Sequence, residues 1–344
     1  MNIAYILPGL ATKGPVIVVK DLVEQMIKNG HECSVFYFDD INEVEFLCPV
    51  YRIKFGHRID FEKFDVIHSH GLRPDCYILR HKPLRSKSRF VTTLHNYVIR
   101  DLTSKYNRLT AYIFGNLWML SLLRHDKIVV LSKDAIKYYS RWFNVSRLSC
   151  VYNSRKVFKN EELSETEKAE IIGFKKSDFL IGVNAYLSSR KGIDLLIRVL
   201  PQLDGYRLFV VGEGKILQDL RELTKQYEVE DRVYFAGYHK NAYRYLPYYD
   251  IYAIPSRSEG FPLAMLEAAA FGVPVVCSDI QVFKEIFTDN EVSFFILENL
   301  SSLAEAIKNG TGNYDMAQRM HQKYLNCYSL EMFYKQYIEV YQTK

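Results

Sequence analysis

Two long tracts of this chain repeat one rhythm, a short run rich in apolar, β-branched or aromatic residues followed by a stretch of helical periodicity. In the first tract the strand-like runs are NIAYILP (2–8), HECSVFYF (31–38), FDVIHSH (64–70), RFVTTLH (89–95), KIVVLS (127–132) and SCVYN (149–153). Helix-period segments lie between several of them, such as VVKDLVEQMIKNG (18–30), which closes on a glycine placed as a C-terminal cap. Few folds accept this alternation: it predicts a parallel α/β sheet with covering helices. The polar, charge-rich segment 159–178 interrupts the rhythm and reads as a linker. It restarts with FLIGVNA (179–185), YRLFVVG (206–212), RVYFAG (232–237), DIYAIPS (250–256) and PVVCSD (274–279). The expectation is two Rossmann-like doubly wound α/β domains, 1–158 and 179–328, then a C-terminal helix over 329–344 that opens on a Ser cap. Two such sheets facing one another leave a cleft at the C-terminal ends of their strands, where ligands of open α/β sheets bind.

Composition narrows the setting. With 48% hydrophobic residues in 344, the chain buries a large core. Its six cysteines include no CxxC pair, which argues against a disulfide framework or a zinc site and fits a reducing, cytoplasmic compartment. The start, MNIAYILPGL, has no basic leader and breaks at Pro8-Gly9, so it reads as a buried strand. The longest oily stretch, YIFGNLWMLSLL (112–123), is too short to span a bilayer. Within it Leu117, Trp118 and Leu120 are expected to pack in the core rather than form a membrane-touching face beside Arg108 and Arg124.

Charge divides the halves. Residues 1–157 carry 24 Lys and Arg against 14 Asp and Glu, and the remainder carries 21 against 26. A basic half suits an anionic partner. The densest cluster, RHKPLRSKSR (80–89), is open to two readings, a solvated loop or a patch for an anionic membrane surface. Nucleic acid is not expected, because no nucleic-acid-binding motif accompanies the charge.

Chemistry concentrates in PSRSEGFPLAMLEAAAFGVPVVCSD (255–279). DIYAIPS ends as a strand, SRSEG is a loop, Pro262 suits the first helical position, and Gly272 and Pro274 stop the helix. Glu259 then precedes the helix and Glu267 lies on its second turn, the one charge on an otherwise apolar surface. A carboxylate on a buried helix needs hydrogen-bond donors, and sugar or ribose hydroxyls supply them in pairs. The backbone amides of Phe261, Leu263 and Ala264 at the helix start form an anion site. A second anion feature is the loop in FLIGVNAYLSSRKGIDLLI, where Arg190 and Lys191 adjoin and repel unless an anion such as a diphosphate joins them. The dinucleotide fingerprint fails at VVGEGKIL, where Leu217 replaces the third glycine, and a Walker loop, GxSxG, HExxH and D-x-D are all absent. His68 and His70, two apart at a strand end, share a face and are candidates for the acceptor side; a metal there is not expected, since no carboxylate or cysteine accompanies them.

Together these stretches resemble the retaining glycosyltransferases of family 4, which have the GT-B fold. Glu259 and Glu267 match the family's E-x7-E, embedded in PSxxEGFPLxxLEAxAxGxPVV. The resemblance implies a nucleotide-sugar donor, UDP rather than GDP, with no metal or other cofactor. By similarity, Glu259 contacts the donor sugar, Glu267 the ribose, Lys191 and Arg190 the diphosphate, and the backbone of Phe261 to Leu263 the sugar and phosphate. TKGPVIVVKDLVEQMIKNGHECSVF resembles the family's glycine loop and first helix and sets Gly14 near the phosphates, and TTLHN puts His95 at the donor-sugar histidine. The terminal helix resembles one that packs back on the N-terminal domain. Three positions depart: Tyr186 stands where an arginine is common, Lys13-Gly14 where Gly-Gly is, and Asn153-Ser154 where Asn-Gly is. The basic N-terminal half is expected on the acceptor side, with a lipid-linked saccharide of capsule, O-antigen or exopolysaccharide assembly at the inner membrane face. The alternatives are a sugar-nucleotide epimerase or hydrolase of the same fold, and a catalytically silent partner subunit.

Overall fold

The run NIAYIL is apolar without alternation, as a strand covered on both faces requires. In the computed structural model, which describes residues 1–343, it forms β1 (Asn2–Leu7), fully buried from Ile3 to Leu7. Around it lie β2 (Glu32–Tyr37), β3 (Val50–Arg52), β4 (Val66–His70), β5 (Arg89–Leu94), β6 (Lys127–Val130) and β7 (Leu148–Cys150). They make an all-parallel sheet in the order β3-β2-β1-β4-β5-β6-β7. This sheet belongs to a first unit, Met1–Lys156 with the C-terminal segment from Tyr328.

The second unit, Val157–Cys327, holds β8 (Phe179–Asn184), β9 (Tyr206–Val211), β10 (Val233–Gly237), β11 (Ile251–Ile254), β12 (Val275–Ser278) and β13 (Ser293–Phe295). They too are parallel, in the order β10-β9-β8-β11-β12-β13. Strand order therefore reverses once in each sheet, between β1 and β4 and between β8 and β11, and such reversals are where open α/β sheets bind ligands. Neither β3 nor β13 was expected from the sequence. Each is a three-residue edge strand, too short to show a period.

Three local expectations change. Segment 159–178 is no bare linker: it holds the helix Glu165–Lys175, which buries Ile171 in the second unit. The Ser164 side chain and Glu167 form a reciprocal capping box, a signature legible as Ser-x-x-Glu. The helix Arg108–Leu122 turns its small residues Ala111, Gly115 and Ser121 inward and leaves Leu117 and Leu120 exposed, so these two do not pack in the core. Trp118 alone of the three turns in, and its indole donates to Asp75 Oδ2 at 2.7 Å. Finally, Pro262 is the N-cap of the helix Leu263–Phe271 and not its first residue.

The terminal helix, Leu330–Gln342, is capped by Ser329, whose hydroxyl accepts from the Met332 amide. It packs on the helix Gly14–Lys28 and buries Tyr337 and Tyr341 in the first unit. Position 344, included in the expected span of this helix, lies outside the described residues. Ser154, where glycine was expected by resemblance, is fully buried and donates to the Tyr328 carbonyl at 2.6 Å, so a side chain there closes the return of the chain to this unit.

Candidate functional site

At the reversal between β8 and β11 the loop after β8 is locked by backbone contacts to the loops after β9 and β11. The Leu187 amide donates to the Glu213 carbonyl at 2.9 Å, and a Cβ on Gly214 would stand 2.1 Å from the Leu187 carbonyl oxygen. The glycines of VVGEGKIL thus serve close approach of two loops rather than a dinucleotide. Gly192 has φ of +68°, and a Cβ there would lie 1.9 Å from the Pro255 carbonyl oxygen. The Arg257 amide donates to the Arg190 carbonyl at 2.8 Å, while its guanidinium grips Asp194 bidentately at 2.8 Å on each oxygen and reaches Glu298 at 2.6 Å. Arg257 and Asp194 were not singled out from the sequence. Their signal is an arginine inside the loop of SRSEG and an acid in the first turn after Lys191-Gly192.

This framework holds the Glu259 carboxylate between two cations. Lys191 Nζ donates to Oε1 at 2.6 Å, Arg190 to Oε2 at 3.2 Å, and the Ser256 hydroxyl to Oε1 at 2.8 Å. The repulsion expected between Arg190 and Lys191 is thus relieved inside the chain, by a carboxylate whose side chain is only 6% exposed. One net positive charge remains on the three groups. Beside them begins the helix Leu263–Phe271, apolar but for Glu267, with Met265, Leu266 and Ala268 to Ala270 buried. Its Met265 amide closes on the Pro262 carbonyl at 3.1 Å, and among the described residues the amides of Leu263 and Ala264 have no acceptor. Phe261 is buried just ahead of it. Glu267 is half-buried, and its charge, added to burial, raises the Tyr252 phenol well above its ordinary range. Tyr186 is exposed.

The reversal between β1 and β4 opens instead into a cavity of about 250 Å³, whose lining includes Gly9, Lys13, His70, His95, Asn96 and Trp118. The helix Gly14–Lys28 starts at its edge. Lys13 is the N-cap, with no side-chain cap bond, and its carbonyl accepts from the Val16 and Ile17 amides at 3.0 Å. The exposed Gly14 has an amide without an acceptor among the described residues. His70 Nδ1 and His95 Nε2 lie 2.9 Å apart, and His70 Nε2 is buried with no partner. Burial pushes the His95 imidazole down to about 4 and that of His70 well below its ordinary value, so both are neutral at pH 7.

His68 lies elsewhere. Its ring is 4.3 Å from that of His70, yet it is fully buried and does not line the cavity. Its Nδ1 meets the Tyr341 hydroxyl at 2.7 Å and its Nε2 meets Thr93 Oγ1 at 2.8 Å, with Tyr337 on Thr93 at 2.9 Å. The tyrosines four apart in the terminal helix are the signal that could have shown this. Asp75 accepts from Ser69 (2.6 Å), Thr92 (2.8 Å) and Trp118, and burial pushes its carboxyl up to about 6 against those three bonds. Among the described residues no group of three or more His, Cys, Asp or Glu is arranged to hold a metal ion.

Known proteins share this architecture. The chain matches the family model of glycosyl transferases group 1 over residues 164–324 and that of glycosyltransferase family 4 over residues 12–154. The O-antigen biosynthesis glycosyltransferase WclY of Escherichia coli is 32% identical over 352 residues, covering 99% of this chain and 98% of its own. The N-acetylgalactosamine-N,N'-diacetylbacillosaminyl-diphospho-undecaprenol 4-alpha-N-acetylgalactosaminyltransferase of Campylobacter jejuni is 28% identical over 200 residues, 56% of this chain and 53% of its own. In structure, Anabaena HepE, solved with UDP and glucose, superposes with a TM-score of 0.80 at 15% identity, covering 100% of both chains.

Proposed function

The chain belongs to the glycosyl transferases group 1, family 4, with the GT-B fold, and we propose that it transfers a sugar, with retention and without a metal ion, from a UDP-sugar to a lipid-linked saccharide of surface-polysaccharide assembly. The observation that carries this reading is the ion triad Lys191–Glu259–Arg190 at the strand reversal, beside a helix N-terminus with open amides. Departure of a nucleoside diphosphate needs positive charge fixed in place before the bond breaks. Lys191 and Arg190 supply it, the amides of Leu263 and Ala264 add the helix dipole, and the backbone beside Phe261 lies next to them. Glu267 takes the ribose hydroxyls and Glu259 the donor sugar.

The bond from the anomeric carbon to the phosphate oxygen breaks while a bond to the acceptor oxygen forms on the same face. The acceptor's proton passes to the departing diphosphate, so no protein nucleophile is consumed. In the first unit the neutral His95 binds sugar hydroxyls and the free Gly14 amide a phosphate oxygen, while His70 is the acceptor-side candidate that lines the cavity. His68, bonded at both ring nitrogens inside the fold, supports that wall from behind. The diphospho-undecaprenol in the name of the Campylobacter enzyme supports a lipid-linked saccharide acceptor, the name of WclY supports surface-polysaccharide assembly, and UDP in HepE supports the donor class.

The test is stabilisation of the purified chain by UDP- and GDP-sugars, alongside Glu267→Ala and Lys191→Ala. A melting-temperature rise with one UDP-sugar that both changes diminish is expected, followed by transfer that persists in EDTA and an α product from an α donor. Silence with every donor would point to a partner subunit, and donor conversion without acceptor to an epimerase or hydrolase.

A further inference from the structure

Helix Arg108–Leu122 buries Met119 and Leu122 but turns most of its large apolar residues outward. Along one stripe, Leu109, Tyr112, Ile113, Leu117, Leu120 and Leu123 are between 39% and 71% exposed, while the inward positions include Ala111 and Gly115. A helix that needed only to cover the sheet would place its large residues the other way round. Asn116 sits within the stripe and satisfies its own amide on the Tyr112 carbonyl at 2.7 Å, which lowers the cost of removing it from water. A contiguous apolar surface of this kind marks an interaction site.

The basic cluster at 80–89 is joined to the same surface. Lys82 Nζ donates to the Arg124 carbonyl at 2.9 Å, and Arg124 donates to the carbonyls of Lys82 and Pro83, which ties the loop to the end of the helix. In that loop Leu84 is 96% exposed, and Arg80, Arg85 and Lys87 are exposed with it. Arg108 is exposed at the other end of the helix. No Asp or Glu occurs in 80–89 or 106–123. Two exposed acids reach the loop, Asp126 on Lys82 and Glu62 on the Ser86 hydroxyl and the Lys87 amide, but the bases outnumber them, and an oily stripe bordered at both ends by bases matches one surface chemistry: acyl chains beneath anionic headgroups. A second copy of the chain is a poor occupant, because a self-complementary contact there would gather like charges.

We propose that this helix face and the 82–87 loop dock the protein on an anionic lipid bilayer, with the leucines in the acyl boundary and the arginines and lysine among the headgroups. Its purpose rests on the lipid-linked acceptor proposed above; its evidence does not. No helix among the described residues is long and apolar enough to cross a membrane, so the contact is a surface one.

The test is flotation of the full chain with phosphatidylcholine vesicles, with and without phosphatidylglycerol, for the wild type, Leu117→Ser/Leu120→Ser and Arg85→Glu/Lys87→Glu. All four positions are exposed, so the fold is expected to survive, and stabilisation by UDP-sugar checks it in each variant. Expected is binding to the anionic vesicles that weakens with salt, and a loss of about tenfold or more in partitioning for each double change. The proposal is overturned if the wild type does not float, if it binds uncharged vesicles equally well, or if Leu117→Ser/Leu120→Ser floats like the wild type. It is also overturned if the wild type is a dimer that the Ser changes dissociate, which would make a second copy the occupant. Flotation without donor response would retain the surface and reject the donor reading; donor response without flotation would do the reverse.

Discussion

The two strand reversals are built from one topology and furnished oppositely. Between β8 and β11 the space is spanned by three charged groups, with Glu259 joined to both Lys191 and Arg190. Between β1 and β4 there is a cavity with two neutral histidines in contact and one ring nitrogen left without a partner. The difference follows from what each can recognise. Fixed charges held by a buried carboxylate suit a diphosphate, which arrives and leaves charged; neutral imidazoles, each both donor and acceptor, suit hydroxyls, which have no charge to attract. The same Rossmann-like scaffold thus supports an electrostatic site and a hydrogen-bonding one.

The largest effect that separates the two is expected at Lys191. Replacing it by alanine removes the better-buried cation and leaves Glu259 with Arg190 and Ser256, so transfer should fall about 10²- to 10³-fold with the loss in kcat. His70→Ala, in the other reversal, touches no diphosphate and should cost roughly tenfold, appearing in KM for the acceptor. Equal losses in steady-state kinetics would erase the contrast. Arg257→Lys sharpens it from within the charged site: the lysine keeps the charge but cannot grip Asp194 on both oxygens, and a fall of about tenfold in kcat is expected because Lys191 and Glu259 lose their alignment.

How far this site was legible depended on whether its chemistry was local in the chain. Glu259, Glu267, Arg190 and Lys191 were singled out because each sits in a loop or early helix turn whose boundaries are marked by Gly and Pro. That Glu259 itself is the anion between the two cations was not legible, since 68 residues separate it from Lys191 and the pairing is made by strand order. Most strands were readable from long apolar runs, but edge strands β3 and β13 were not. The helix Arg108–Leu122 misled for a physical reason: apolarity on every side looks like burial, and sequence cannot say that the small residues face in. His68 shows the same limit, because its partners Tyr341 and Thr93 come from a distant helix and a neighbouring strand.

The contrast extends to acid stability. In the first unit burial lowers the imidazoles of His68, His70, His95 (to about 4) and His125 (to about 3), so below about pH 6.5 the unfolded chain binds protons that the folded unit refuses. Stability is therefore lost as pH falls through the ordinary histidine value. Asp75, raised to about 6, and Asp21, raised by burial, work the other way above about pH 4, where the folded unit holds protons the unfolded chain has released, but they are two groups against five, since burial lowers His31 as well. In the second unit burial would raise Glu167, yet hydrogen bonds from Ser164 and the charge of Arg244 hold it at about 2, and Asp279 and Glu291 are lowered as well. Those contributions fade only below about pH 4.5. The first unit should unfold first on acidification, losing on the order of a few kcal/mol by pH 5. Both tryptophans, Trp118 and Trp142, belong to it. Tryptophan fluorescence is thus expected to change at higher pH than the second half of the far-ultraviolet circular dichroism signal, and coincident transitions would show that the units do not differ.

The smallest expected effect tests the histidine that stayed inside. Tyr341→Phe deletes the hydroxyl that faces His68 Nδ1 at 2.7 Å and Tyr5 at 3.3 Å, and leaves a buried ring nitrogen without a partner. The cost should be about 1–2 kcal/mol in denaturant unfolding followed by tryptophan fluorescence. It should leave stabilisation by UDP alone unchanged, since the ion triad that takes the diphosphate lies in the other unit. If His68 supports the wall that carries His70 and His95, KM for the acceptor also rises, by a smaller factor than in His70→Ala. A change in stability with no change in KM would make His68 a core residue only, and would leave hydroxyl recognition in the first unit to the two histidines that line its cavity.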